Sequence, residues 1–211
     1  MKTIKVLLVE DDPIWCSCLS DYISKEQDIL LIGYAKTKEH AIEFVKTVNI
    51  DVVLMDIMLT EGCLDGLDAA LEISTMKKTK IIMLTAIDEE ETILDAFSAG
   101  AVNYITKSNY KDIPAAIRLA YKNCSPVHTD AAHALRQELV RLKKEENQKI
   151  LTSTEKQILK LVCQGFTQSR IQSLLHIAES TVKKHVNSYL KKLKAKSSKE
   201  AVEKAKKKGI L

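Results

Sequence analysis

Apolar residues follow two alternating periods over the first 122 positions. Five short runs, Ile4–Val9, Ile29–Ala35, Val52–Met55, Ile81–Leu84 and Val102–Ile105, have the length of buried strands. Between them apolar positions take helical spacing: Ile14, Cys18, Leu19, Tyr22 and Ile23 first, then Ala41, Ile42, Val45 and Val48. Leu67, Ala70, Leu71 and Ile73 form a third stripe, Ile93, Leu94, Ala96 and Phe97 a fourth, and Ile113, Ala116, Ile117 and Ala120 a fifth. Strands apolar on both faces and regularly separated by amphipathic helices predict an α/β fold, a doubly wound five-stranded parallel sheet covered on both sides. In such sheets ligands bind beyond the carboxyl ends of the strands, where the strand order switches.

The pattern changes after residue 122. Residues 123–130, with Ser125-Pro126, predict an irregular stretch, and 131–147 a charged helix whose seam of Leu135, Leu139 and Leu142 spans less than two heptads. From Leu151 the signals are helical. Thr152-x-x-Glu155 is a capping box before Ile158, Leu159, Leu161 and Val162. Gly165 stops that helix, and Thr167 caps a second carrying Ile171, Leu174 and Leu175. A third, from about Glu179 to Leu193, puts Val182, Val186, Tyr189, Leu190 and Leu193 on one arc and Lys184, Asn187 and Lys191 opposite, flanked by Lys183. The predicted organisation is an α/β domain over 1–122, a helical linker over 123–149 and a small all-α domain over 150–211.

Composition sharpens this division. With 211 residues, 45% hydrophobic, 6 Gly and 3 Pro, the chain is neither collagenous nor low-complexity. No apolar run approaches the roughly 18 residues that span a bilayer, and no cleavage site follows Met1-Lys2. A soluble, cytoplasmic protein without membrane partners is expected. The five cysteines (Cys16, Cys18, Cys63, Cys124, Cys163) are odd in number and lack CxxC spacing, which fits reduced thiols. Charge is split: residues 1–122 carry 13 Lys and Arg against 20 Asp and Glu, a balance of −7, and residues 123–211 carry +11. An acidic half joined to a basic half points to an anionic partner for the second, with nucleic acid the foremost candidate.

The strand ends carry the candidate chemistry. The first strand runs into Glu10-Asp11-Asp12, the third ends on Asp56, the fourth on Thr85 and the fifth on Lys107. Carboxylates converging from two strands repel one another unless a hard cation such as Mg²⁺ sits between them. Asp56 could then act as a nucleophile toward a phosphoryl donor, with Lys107 and Thr85 on the phosphoryl oxygens. A plainer reading stands beside this: Asp11 or Asp12, followed by Pro13, is also a good helix cap with proline in the first turn.

Together, Glu10-Asp11-Asp12, Asp56, Asp65-Gly66, Thr85-Ala86, Gly100-Ala101 and Tyr104-Ile105-Thr106-Lys107 resemble the receiver domain of bacterial two-component response regulators, a flavodoxin-like fold. The resemblance makes Asp56 the phosphoacceptor. It implies Mg²⁺ held directly by Asp12 and Asp56, through water by Asp11, and by the Met58 carbonyl. Thr85 and Tyr104 would be the switch pair, with Ala86 leaving room for the threonine and the aromatic ring turning inward behind it. One departure is the run from Asp56 to Asp65-Gly66, two residues longer than usual, with Thr60 where proline is common. Either the extra residues bulge into solvent without effect, or they alter phosphate lifetime and kinase recognition.

The second domain resembles the LuxR-type DNA-binding helix-turn-helix. The resemblance rests on Leu151-Thr152, Glu155, Ile158-Leu159, Gly165, Thr167, Ile171, Leu174, Ile177, Ser180-Thr181-Val182-Lys183, His185-Val186, Leu190 and Lys192-Leu193. It implies base-edge contacts from Lys183, Lys184 and Asn187 and backbone contacts from Thr181, His185, Lys191 and Lys192. A last helix with Val202 and Ala205 would pair two such domains on DNA. Ala178 stands where a Ser or Thr cap is usual, a loss of about 1 kcal/mol. The whole chain resembles the NarL/FixJ class of response regulators. That implies a transcription regulator, not an enzyme, phosphorylated by a sensor histidine kinase, dimerising and binding promoter DNA, and leaves room for contact with RNA polymerase. The rival enzymatic reading is weak: an aspartyl-phosphate phosphatase needs a second aspartate two residues after the nucleophile, where Met58 stands, and no GxxxxGK[ST] loop is present.

Overall fold

A computed structural model describes residues 3–124 and 126–211; Met1 and Lys2, and Ser125 of the expected irregular stretch, lie outside the described residues. Five parallel strands, β1 Ile4–Val9, β2 Ile29–Ala35, β3 Val52–Met55, β4 Lys80–Thr85 and β5 Asn103–Thr106, form one sheet in the order β2-β1-β3-β4-β5. The period-2 geometry of a strand divides their apolar residues between two cores. Leu7, Val9, Val53, Met55, Ile81 and Met83 face helices α2 Lys38–Thr47, α3 Asp65–Met76 and α4 Glu90–Ser98. Val6, Leu8, Val52, Leu54, Ile82 and Leu84 face α1 Pro13–Ile23 and α5 Ile113–Tyr121. A 3₁₀ turn, Lys107–Asp112, links β5 to α5. The order reverses between β1 and β3, and that crevice is where the sequence placed its acidic residues.

The chain divides into two compact units, residues 1–137 and 138–211. The division falls inside helix α6, Thr129–Lys149, rather than at either end of the expected linker over 123–149. The cause is a short apolar stripe at the start of α6. Ala131 and Ala134 are buried, and Leu135 half-buried, in the same core as α2, α3 and α4.

The second unit packs α7 Ser153–Cys163, α8 Gln168–Leu175, α9 Glu179–Lys192 and α10 Ser198–Lys207 around Ile158, Leu159, Ile171, Val182, Val186 and Tyr189. The predicted capping box forms with both bonds, Thr152 Oγ1 accepting from Glu155 N–H and Glu155 Oε2 accepting from Thr152 N–H. Thr167 caps α8, and Gly165, at φ +89°, ends α7. Among the described residues no helix is long and apolar enough to cross a membrane.

Candidate functional site

The carboxyl ends of β1, β3, β4 and β5 frame a cleft of about 390 Å³ lined by Glu10, Asp11, Asp12, Asp56, Met58, Glu61, Thr85, Ala86, Ile87 and Lys107. Asp56 follows β3 directly and is only 6% exposed. Its Oδ1 accepts from the Ile57 N–H at 2.7 Å, and its Oδ2 receives the Lys107 ammonium at 2.7 Å. The same ammonium reaches Glu10 Oε2 at 2.8 Å, and it stands 5.3 Å from the centroid of the Trp15 ring. Burial opposes the Lys107 charge, but the bonds to Asp56 and Glu10 outweigh it and push its pKa up. Burial raises the Glu10 carboxyl to about 7; the Lys107 bond works against that rise and the Asp56 charge adds to it.

Among the described residues, carboxylate oxygens of Glu10, Asp11 and Asp56 lie within 4.8 Å of one another, a set that could hold a metal ion. Asp12, expected as a direct ligand, lines the same cleft but lies outside this set. Asp12 is the N-cap of α1, its Oδ1 accepting from Ile14 N–H at 2.8 Å ahead of Pro13. Of three consecutive acids, the one before proline closes the helix, although all three line the cleft. Glu10 is not among the expected ligands, and the cap reading of Asp12 stands beside the metal reading.

Thr85 is buried at the end of β4, its Oγ1 accepting from Ile87 N–H at 3.4 Å. Tyr104 is fully buried behind it and donates its hydroxyl to the Ile87 carbonyl at 2.7 Å, so the ring occupies the inward position. Burial, reinforced by the acidic side chains around it, pushes the Tyr104 phenol well above its ordinary range. The extra residues after Asp56 close a turn of their own. Thr60 and Cys63 pair as a bridge, Gly62 takes φ +74° at its tip, and residues 61–64 are exposed. Asp65 fixes the base, accepting from Leu59 N–H at 3.0 Å and Thr60 Oγ1 at 2.8 Å. The insertion thus bulges into solvent, with Glu61 alone of its exposed residues lining the cleft.

In the second unit, α9 buries Val182, Val186 and Tyr189 and exposes Lys183, Lys184, Asn187 and Lys191, while Thr181 and His185 are half-buried. Lys183 pairs along the helix with Glu179 at 2.7 Å, whereas the Lys192 ammonium lies 2.7 Å from Glu155 Oε2 and ties α9 to α7. Ala205, expected on a pairing face of the last helix, is buried in the unit's own core beside Ala201, and Val202 is half-buried. Ala178 caps α9 with extended backbone and no side-chain bond. Replacing Ala178 with serine is expected to stabilise the second unit by about 1 kcal/mol, read as a higher urea midpoint. An unchanged midpoint would show the helix end to be satisfied already.

Comparison with known proteins agrees with both units. Residues 6–118 match the response regulator receiver domain, and residues 149–205 match the luxR family of bacterial regulatory proteins. The response regulator protein VraR of Staphylococcus saprophyticus is 32% identical over 201 residues, covering 94% of each chain. A LuxR-family two-component response regulator from Aurantimonas, 25% identical, superposes with TM-score 0.60 over 66% of this chain and 99% of that one. RcsB of Salmonella enterica serovar Typhimurium, solved bound to a promoter with a phosphomimetic, shares the fold at TM-score 0.58 and 17% identity, over 96% of this chain and 98% of its own.

Proposed function

The chain belongs to the response regulators that join a receiver domain to a LuxR-family DNA-binding domain, a family of transcription regulators rather than enzymes, and from this we propose that Asp56 is its phosphoacceptor. A sensor histidine kinase supplies the phosphoryl group in the cytoplasm, and the modified chain pairs with a second copy on promoter DNA. The observation that carries the reading is Asp56 itself, a nearly buried carboxylate at the switch in strand order with Lys107 2.7 Å away. A carboxylate oxygen of Asp56 forms the new bond to phosphorus. The bond from phosphorus to the phosphohistidine nitrogen breaks, and its electron pair returns to the imidazole. Lys107 stays protonated throughout and moves from pairing Asp56 to pairing the phosphoryl oxygens. Thr85 donates its hydroxyl to one of those oxygens, and the inward Tyr104 ring fills the space behind it.

The donor set fits Mg²⁺: three carboxylates from Glu10, Asp11 and Asp56 offer the hard oxygens that this ion prefers. When bound, the ion neutralises the repulsion between the carboxylate nucleophile and the anionic phosphoryl group. Because Glu10 is protonated below about 7, binding must displace that proton. Mg²⁺ affinity is therefore expected to fall as pH drops through 7, by up to about tenfold per unit. Titration at several pH values with Glu10→Gln as control checks this, and equal affinity across the range would remove Glu10 from the ligand set.

Incubation with Mg²⁺ and an acyl phosphate, followed by intact-mass measurement, tests the central claim. One phosphoryl group is expected on the native chain and none on Asp56→Asn; equal modification of both would overturn the assignment. On DNA, the exposed Lys183, Lys184 and Asn187 face base edges while Thr181, His185, Lys191 and Lys192 contact the backbone, so affinity falls with salt.

A further inference from the structure

An acidic residue in the first turn of a helix is favoured by the helix dipole, which accounts for an aspartate at position 130 but not for where its carboxylate goes. The Asp130 side chain is 13% exposed. Its Oδ2 accepts from the Thr106 backbone N–H at 2.8 Å and from Thr106 Oγ1 at 2.9 Å. The Asn109 amide donates to Oδ1 at 2.9 Å and to Oδ2 at 3.1 Å. Burial would raise its carboxyl pKa, yet these bonds hold it below the usual range.

The bonds bracket one residue. Thr106 immediately precedes Lys107 and Asn109 follows it by two positions, at a kink of φ −101° and ψ 24° inside the 3₁₀ turn. His128 secures the same corner, donating its N–H to Asn103 Oδ1 at 2.9 Å and placing Nε2 3.1 Å from Asp112 Oδ2. Ala131 and Ala134, one turn further on, are buried in the sheet's core. A lysine stem has four rotatable bonds, so its ammonium can hold 2.7 Å and 2.8 Å contacts with two carboxylates only if its backbone is fixed.

We propose that Asp130 is a positioning residue for phosphoryl transfer at Asp56, its carboxylate fixing the β5 corner so that the Lys107 ammonium sits beside the phosphoacceptor. This rests on Asp56 being the phosphoacceptor. It also makes the first turn of α6 part of the phosphorylation site. Because coupling between two sites is reciprocal, a displacement of that turn loosens Lys107, and a phosphoryl group that draws on Lys107 strains the Asp130 anchor.

The single tryptophan gives a readout independent of activity, since the Lys107 ammonium lies against the Trp15 ring. In the full chain with Mg²⁺ and an acyl phosphate, Asp130→Ala is expected to slow phosphorylation about tenfold. It should also shift Trp15 emission in the direction that Lys107→Ala does. Thr106→Val, which removes only the hydroxyl arm, is expected to give a smaller change of the same sign, and it decides the question if Asp130→Ala fails to fold. In the Lys107→Ala background a further Asp130→Ala should change neither rate nor emission. Native rate and emission in Asp130→Ala, or an equal loss with and without Lys107, would overturn the positioning role alone. Absence of phosphorylation in the native chain would instead overturn the phosphoacceptor reading and the positioning role together.

Discussion

Replacement of Glu155 by alanine is expected to remove about 3 kcal/mol from the stability of the C-terminal unit. The residue is 3% exposed, and its carboxylate accepts from Ser188 Oγ at 2.6 Å, Lys192 Nζ at 2.7 Å and Thr152 N–H at 2.8 Å. One side chain thus caps α7 and ties it to α9. Burial would raise its pKa, but the Lys192, Ser188 and Thr152 bonds outweigh that effect and bring it down to about 2. A fall from the ordinary 4.5 to about 2 is worth roughly 3 kcal/mol, which agrees with the cost of breaking such a pair. The sign follows from a depressed carboxylate: the stabilisation is complete above the unfolded value of 4.5 and disappears as pH falls through about 2. Urea unfolding of the native chain and Glu155→Ala should therefore show a gap that is full at neutral pH and closes across that acidic window. A gap independent of pH would separate the ion pair from the stability. Lys192→Ala should also destabilise the unit, which places this lysine in the framework of the DNA-binding fold rather than only on its surface.

Gly66→Ala is expected to be at least as damaging in the N-terminal unit, about 3 kcal/mol, and to abolish modification of Asp56. A Cβ at position 66 would stand 1.9 Å from the Asp56 carbonyl oxygen and 2.8 Å from the Ile57 Cα. The Gly66 N–H donates to the Ile57 carbonyl at 2.9 Å, so the start of α3 lies directly on the backbone that presents Asp56. Neither side is a flexible side chain that could give way. Relieving the overlap means moving α3 or the residue after β3, and the second choice takes the Asp56 carboxylate away from Lys107. Thermal unfolding together with intact-mass phosphorylation checks this, and a stable, fully modified Gly66→Ala chain would show that the loop yields. By contrast Gly62, at the tip of the extra turn, has open space around it and takes φ +74°, so its requirement is purely conformational.

The periodic elements were legible because burial writes itself into spacing. Ile4–Val9, Ile29–Ala35 and Val52–Met55 have the predicted bounds, and Lys80–Thr85 and Asn103–Thr106 each differ by one residue at both ends. The exposed face of α9 was legible for the same reason. Three features were not. Which of Glu10, Asp11 and Asp12 brings its carboxylate near that of Asp56 depends on where β1 stops and α1 is capped, a matter of one residue that periodicity does not resolve. The Glu155–Lys192 pair joins positions 37 apart through tertiary packing, and the capping-box motif accounts for Glu155 without reference to Lys192. The docking of Asp130 on Thr106 crosses an irregular stretch, and its carboxylate has the sequence signature of an ordinary helix start.

The contacts around Thr106 have a further consequence, for association between folded chains. β5 is an outer strand of the sheet, and an outer strand offers a row of backbone donors on which another chain can build. On β5 two alternate donors are already taken: the Tyr104 N–H by Asn103 Oδ1 at 3.0 Å and the Thr106 N–H by the Asp130 carboxylate at 2.8 Å. Asn103 Oδ1 also accepts from the His128 N–H, so the segment entering α6 lies along this border as a short cover. At the opposite border β2 meets β1 with a register shift between Val6 and Leu7, an irregularity of the kind that bends a strand and spoils it as a template. The β5 margin is thereby partly covered and the β2 margin made irregular, which makes both poorer templates for unfolded or partly folded copies of the same chain.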